Sequence, residues 1–319
     1  MGRGSGRRLP AAPSFAVTRL EYRCATGATS ISSWAPLPTF AFRPFFHPKA
    51  ATSELENQRP PGKDNLNLVK KYFPWLLEAY LELPGEIYRA DFSWNLYMYM
   101  FGGVYIDLDT DCLRPTSTAF EAFDIPTSEN TTAVADGEPI NHFAIFGRMG
   151  TDESFENSIP NAWMASSPGH PFFLMPPLSV QTRVAKTKSF IYWLFHKVSA
   201  EEWTGPAALY RAIVDFNTNG LSKEAAALAA VGPFVSQAKT TKKEIVLLPD
   251  HWIYPYDWTV KELRSPCSVE AETFNAKGCK ERLEVDKKGG ISITYWSHTH
   301  SNKNSHAKNI DNISHRRSR

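Results

Sequence analysis

The sequence predicts an α/β fold on three observations. Apolar residues recur at helical spacing in some stretches and as short β-rich runs in others, the two kinds alternate, and Pro or Gly punctuates their junctions. They lie in a chain of 319 residues that is 42% hydrophobic and 21% charged, enough apolar material for a sizeable core.

Taken in order, the run starting at Phe73 opens a helix with Pro74 in its first turn, where a missing N–H costs nothing, and Pro84-Gly85 closes it. Ile87, Ala90, Trp94, Tyr97 and Phe101 fall on three- and four-residue steps and mark one face of a second helix. Gly102 and Gly103 stop that helix, because glycine enters left-handed backbone without a steric penalty. Val104-Tyr105-Ile106 follows as a buried strand whose end delivers Asp107, Asp109 and Asp111. Further strands are predicted at 131–135, 144–146, 245–248 and 291–295, and helices near 171–198 and 201–230.

The ends read differently. Residues 1–60 are rich in Arg, Ser, Thr and Pro, with Arg3, Arg7, Arg8, Arg19, Arg23 and Arg43 set against Glu21 up to residue 48. That composition fits an organellar transit-like leader or a disordered or misassigned segment. Residues 301–319 form a basic polar tail, so the predicted organisation is a leader (1–60), a globular domain (61–300) and a tail (301–319). The net charge of +2 excludes the dense positive field of a nucleic-acid binder, and the basic ends leave the middle acidic, which suits a cation. Four cysteines without zinc-site spacing exclude a structural zinc centre; Cys267 and Cys279 are either a loop-closing disulfide or two free thiols. No apolar window is long enough to span a bilayer.

At the carboxyl end of a sheet strand, where α/β ligands gather, an acidic pair has a functional bias that surface acids lack. Carboxylates two apart in extended backbone share a face, so with Leu108 turned to the core Asp107 and Asp109 can converge on one hard cation, Mn²⁺ or Mg²⁺, completed by a substrate's phosphates. The run from Arg89 through Asp91, Trp94, Gly102-Gly103-Val-Tyr105-Ile-Asp107-Leu-Asp109 to Pro115 resembles the sugar-nucleotide motif of glycosyltransferase family 32. The resemblance extends to the run from Asn161 through His170-Pro171 to Phe172, to Thr204-Gly205-Pro206 and to Leu248 through Trp258, covering roughly 65–300.

That resemblance implies a GT-A-type nucleotide-diphospho-sugar transferase fold, with a Rossmann-like central sheet flanked by helices. It implies a metal-dependent, retaining hexosyltransferase with a nucleotide-sugar donor (GDP-mannose first, UDP-hexose second) and a glycan or glycolipid acceptor. Carried over by position, Asp109 ligates the metal, while Asp107 helps bind it and touches the ribose or donor sugar. Arg89 and Asp91 hold the sugar, and Gly102, Gly103, Tyr105 and Asn161 complete the nucleotide-sugar site; Asn161 also reads as the cap of a turn. His298 is the expected further metal ligand. Trp163, Trp252 and Trp258 read either as sugar-stacking platforms or as core. The resemblance also implies the Golgi lumen and at least peripheral membrane association. Three features depart from the family: Trp94 stands where an Arg is usual, the family's opening strand has no counterpart in 1–60, and the closing segment is matched only loosely at 295–300. Two rival readings share the motif. One is a catalytically silent sugar-nucleotide binder; the other is a haloacid-dehalogenase-like phosphatase with Asp107 as nucleophile and Asp109 as acid/base.

Overall fold

The computed structural model describes residues 61–107, 109–125, 142–187, 199–231 and 243–296. The expected strand at 131–135, His298 and both chain ends lie outside these residues. Among those described, an α/β architecture is present, with helices gathered around a four-stranded sheet.

Helix α1 (Pro61–Tyr72) lies N-terminal to the first expected helix, in a Lys- and Asn-rich stretch whose apolar face is Leu66, Leu68 and Val69. The helix expected from Phe73 begins instead as a 3-10 turn, Pro74–Leu76, and continues as α2 (Leu77–Leu81). Helix α3 (Glu86–Phe101) is buried over most of its length, from Ala90 to Met100, so it runs through the core rather than over its surface. Gly102 ends α3 at φ +61, and a Cβ there would meet Ser166 O and Pro168 N at 2.6 Å. Only glycine allows the chain to turn at this point against the 166–168 segment.

The chain then enters β1 (Gly103–Ile106) and, past the acidic pair, β2 (Thr110–Cys112) and α4 (Thr116–Ala122). Strands β3 (His142–Gly147) and β4 (Trp163–Ser166) are fully buried. The helix expected at 171–198 begins as a 3-10 turn, Pro171–Leu174, and continues as α5 (Met175–Thr187); its remainder, 188–198, lies outside the described residues. The 201–230 stretch is α6 (Ala200–Trp203), α7 (Pro206–Asn219) and α8 (Lys223–Val231), broken at Gly205 and Gly220. Strand β5 (Lys243–Leu248), helices α9 (Asp250–Ile253), α10 (Arg264–Cys267) and α11 (Ala276–Arg282), and strand β6 (Ser292–Thr294) complete the fold.

The sheet order is β1-β4-β3-β5. Strands β3 and β5 are parallel, while β4 runs antiparallel to both of its neighbours. A sheet of this order is mixed, with the antiparallel β4 inserted between β1 and β3, and it is compatible with the expected Rossmann-like central sheet. With β4 reversed, its first residues lie at the edge where β1, β3 and β5 end, and the register sets Ile106 opposite Trp163. That edge therefore receives Asp107 from β1 and Asn161 from the approach to β4.

A second, two-stranded ribbon pairs β2 with β6, and the Thr110 and Thr294 hydroxyls hydrogen-bond at 2.8 Å. Behind it a separate cluster of Tyr256, Val269, Leu283, Val285, Ile293 and Tyr295 encloses the Cys267–Cys279 disulfide. Of the alternatives open for those two cysteines, the structure has the bond. Lys280 of α11 pairs with Asp111, and the Arg114 guanidinium donates to the Val285 carbonyl at 3.0 Å, so this module grips the segment just after the acidic pair. No helix among the described residues is long and apolar enough to cross a membrane.

Candidate active site

Asp107 sits immediately after β1. Its N–H donates to Ala162 O at 2.8 Å, and its carbonyl accepts from Thr110 N–H at 3.1 Å, which fixes the backbone on both sides. Its Oδ1 accepts from the Tyr105 hydroxyl, from the same strand and the same face. The backbone of Asp109 is held from the other side, where its carbonyl accepts from Tyr295 N–H at 3.1 Å. Burial drives the Asp107 carboxyl well above the usual carboxylate range, the Asp109 charge pushes further, and the Tyr105 hydrogen bond opposes them; Asp91 adds a smaller push. Carboxylates at this edge thus load one another with like charge in a low-dielectric setting, and a cation there would relieve that strain.

Asp91, on the second turn of α3, is buried. Its Oδ1 accepts from Asn161 Nδ2 at 2.9 Å and its Oδ2 from the Thr204 hydroxyl at 3.2 Å. Gly205 then leads into α7, whose first turn lies close by: a Cβ on Gly205 would be 3.5 Å from Asp91 Oδ2. The positive end of a helix suits a carboxylate there. Burial pushes Asp91 up to about 7 against the lowering effect of the Asn161 and Thr204 hydrogen bonds. Asp91 therefore knots together α3, the approach to β4 and the start of α7.

Aromatic side chains wall the cluster. Tyr105 is 5% exposed, and the Trp94 ring lies over it at 4.7 Å between centroids. Tyr254 is buried, and both Asp107 and Asp109 act electrostatically on its hydroxyl.

Comparison with known proteins agrees with this geometry. Residues 45–130, the stretch that holds Asp91, Tyr105, Asp107 and Asp109, match the family described as "Glycosyltransferase sugar-binding region containing DXD motif". Over that stretch the chain is similar to this DXD glycosyltransferase family. Inositol phosphoceramide mannosyltransferase 3 of Schizosaccharomyces pombe is 28% identical over 102 residues, covering 32% of this chain and 22% of that protein. Inositol phosphoceramide mannosyltransferase 1 of the same yeast is 25% identical over 107 residues, 34% of this chain and 26% of its own length. Mannosyl phosphorylinositol ceramide synthase SUR1 of Saccharomyces cerevisiae is 27% identical over 141 residues, 44% of this chain and 29% of its own. The chain thus spans less than a third of the length of these relatives. No solved structure matches it.

Against the family expectations, the structure brings Asp91, Tyr105, Asp107, Asp109 and Asn161 to one edge. It does not bring Arg89 there. The Arg89 guanidinium donates to the carbonyls of Tyr80, Leu81 and Leu83 and pairs with Glu86 at 2.9 Å, so it closes the end of α2 and lies beside the Tyr80 ring. Gly102 and Gly103 turn the chain into β1; their positive φ values and the close approach to Ser166 account for glycine at that place. Asn161 holds Asp91 rather than capping a turn. Trp163 is 1% exposed and belongs to the core, while Trp252 and Trp258 remain partly exposed. Trp94, where the family has Arg, is 4% exposed and serves as packing for Tyr105.

Thr204 and Tyr254 carry site contacts that periodicity alone did not reveal. A Thr two residues before a helix-starting Pro is the signal that could have flagged Thr204. For a cation, no group of three His, Cys, Asp or Glu side chains among the described residues is placed to hold one unaided. The donors that are present fit one nonetheless. Two hard carboxylates that repel each other match a divalent ion whose other positions are filled by phosphate and water.

Proposed function

We propose that this chain is a divalent-metal-dependent hexosyltransferase of GT-A type that moves a sugar from a nucleotide-diphospho-sugar to a glycan or glycolipid. GDP-mannose is the first donor to test, UDP-hexose the second, and the anomeric configuration is retained. The observation that carries this reading is the Asp107/Asp109 pair at the end of β1, with Asp107 pushed strongly upward by burial and by its neighbour. The names of the yeast relatives support mannose and a ceramide-linked acceptor.

In such a reaction the bond between the anomeric carbon and the β-phosphate oxygen breaks. The nucleoside diphosphate leaves with the electron pair, and an acceptor hydroxyl bonds to carbon and gives up its proton. A Mn²⁺ or Mg²⁺ held by Asp107 and Asp109 would supply positive charge for the departing pyrophosphate. The chain's own residues supply the rest. Tyr105 orients the Asp107 carboxylate, the Asp91–Asn161–Thr204 knot shapes the floor beside it, and the Trp94 and Tyr254 rings keep water from behind the acids. The disulfide suits an oxidising secretory compartment and hence a Golgi site of action.

The test is a Mn²⁺-supplemented panel of GDP- and UDP-sugars with glycan and glycolipid acceptors, run on wild type and Asp109→Ala. Removal of a charged ligand is expected to lower turnover by at least about 100-fold. Full activity in Asp109→Ala refutes the reading; donor binding with neither transfer nor hydrolysis across the panel favours a silent binder.

A further inference from the structure

We propose that Tyr254 is a positioning residue of the acidic site: its hydroxyl fixes residues 160–163, and through them the backbone of Asp107 and the carboxylate of Asp91. The inference rests on the transferase reading only in taking those two acids as working parts.

The Tyr254 hydroxyl accepts from Trp163 N–H at 2.7 Å and donates to Pro160 O at 3.0 Å. Between those two backbone groups lie the two residues that reach the acids. Asn161 Nδ2 donates to Asp91 Oδ1 at 2.9 Å, and Ala162 O accepts from Asp107 N–H at 2.8 Å. The hydroxyl therefore spans the short segment on which both links depend. It does so where the β3–β4 ladder runs out, past the Phe146–Met164 pair, so the Trp163 N–H is satisfied by a side chain instead of a strand.

Tyr254 is itself held hard. It is 1% exposed, its backbone forms a parallel bridge with Met149 just past the ends of β3 and β5, and the Trp296 ring lies 5.4 Å away. The 160–163 segment is thereby tied to Met149, just past β3, as well as to β1. A phenol can accept and donate at once, and phenylalanine can do neither, so one oxygen atom separates a braced segment from an unbraced one. A purely structural role predicts lost stability alone. A positioning role predicts, in addition, a looser Asp107 amide and a weaker cation site.

Both readouts are available on the full chain with wild type, Tyr254→Phe and the control Ser292→Ala. The control removes a buried hydrogen bond to Ile253 O (3.0 Å), next to Tyr254, and leaves 160–163 untouched. Mn²⁺ affinity is read by electron paramagnetic resonance of free Mn²⁺, amide exchange by mass spectrometry of peptides over 103–107 and 160–166, and stability by the thermal midpoint. The expected result for Tyr254→Phe is Mn²⁺ binding weakened by roughly tenfold and exchange at both peptides faster by a similar factor. Ser292→Ala should lower the midpoint with neither change. If Tyr254→Phe lowers the midpoint while Mn²⁺ affinity and exchange match wild type, the proposal is overturned. If wild type binds no Mn²⁺ with or without GDP-mannose, the transferase reading falls separately, and the exchange result alone decides whether Tyr254 braces the segment: unchanged exchange overturns it, faster exchange upholds it.

Discussion

His170 is 0% exposed, lies between the Phe173 and Phe216 rings, and has neither ring nitrogen in a hydrogen bond of normal geometry. Burial, reinforced by His142 and Lys243, pulls its pKa from 6.5 down to about 3. Above pH 6.5 the imidazole is neutral whether the chain is folded or not. Between 6.5 and 3 the unfolded chain takes up a proton that the folded chain refuses, so stability falls as pH falls through that window. A depression of roughly 3.5 pH units, at about 1.36 kcal/mol each, sets a ceiling near 5 kcal/mol, of which about 2 kcal/mol is lost by pH 5. Asp91, raised to about 7, has the opposite sign: its contribution weakens as pH rises from the usual carboxylate range towards 7, and the wild-type curve is flattened as a result. His142, also lowered by burial, adds to the acid-side loss. The informative quantity is therefore the difference between wild type and His170→Leu, which cancels the shared groups. Urea unfolding followed by tryptophan fluorescence at pH 7.5, 6 and 5 measures it. At pH 7.5 the variant should stay close to wild type, because leucine fills the apolar site beside Phe173 and Phe216 without burying a polar ring. By pH 5 it should have gained a further ~2 kcal/mol on wild type. Curves that stay parallel within about 0.5 kcal/mol from pH 7.5 to 5 would refute the assignment of the acid limb to His170.

Three other outcomes are expected. Tyr105→Phe removes the donor to Asp107 and should weaken Mn²⁺ by about tenfold in a metal titration, with the fold retained by circular dichroism. Gly102→Ala forces a Cβ to within 2.6 Å of Ser166 O at φ +61, and its chemical-denaturation stability should fall by about 2–4 kcal/mol. Reduction of Cys267–Cys279, 12 residues apart, should cost about 3 kcal/mol, read as a lower urea midpoint in dithiothreitol than without it.

Much of the site's frame was legible because it is local. The α3 periodicity, the glycine stop and the short strand before Asp107 each follow from neighbours within a few residues, and the structure places them at Glu86–Phe101, Gly102 and Gly103–Ile106. The cores of the strands expected at 144–146 and 245–248 were equally readable, as runs of β-branched and aromatic residues. The reversed β4 was not. Trp163–Ser166 has the composition of any buried segment, and its position between β1 and β3 is decided by distant pairing. The same holds for β2, three residues long, which is a strand only because β6 docks on it. Arg89 shows the limit of carrying roles over by position, since three carbonyls at the end of α2 already occupy its guanidinium. Asp91 shows the converse: an acid inside an otherwise apolar helix signals a partner, but Asn161 and Thr204 lie 70 and 113 residues further on.

The β2–β6 ribbon ties the order of synthesis to competence. Thr110 waits for Thr294, 184 residues later, and Asp109 for the N–H of Tyr295. A ribosome has therefore made nearly the entire domain before the second acid is anchored. Nascent or prematurely terminated chains carry the acidic pair without its clasp, so the backbone of Asp109 is set only when β6 arrives.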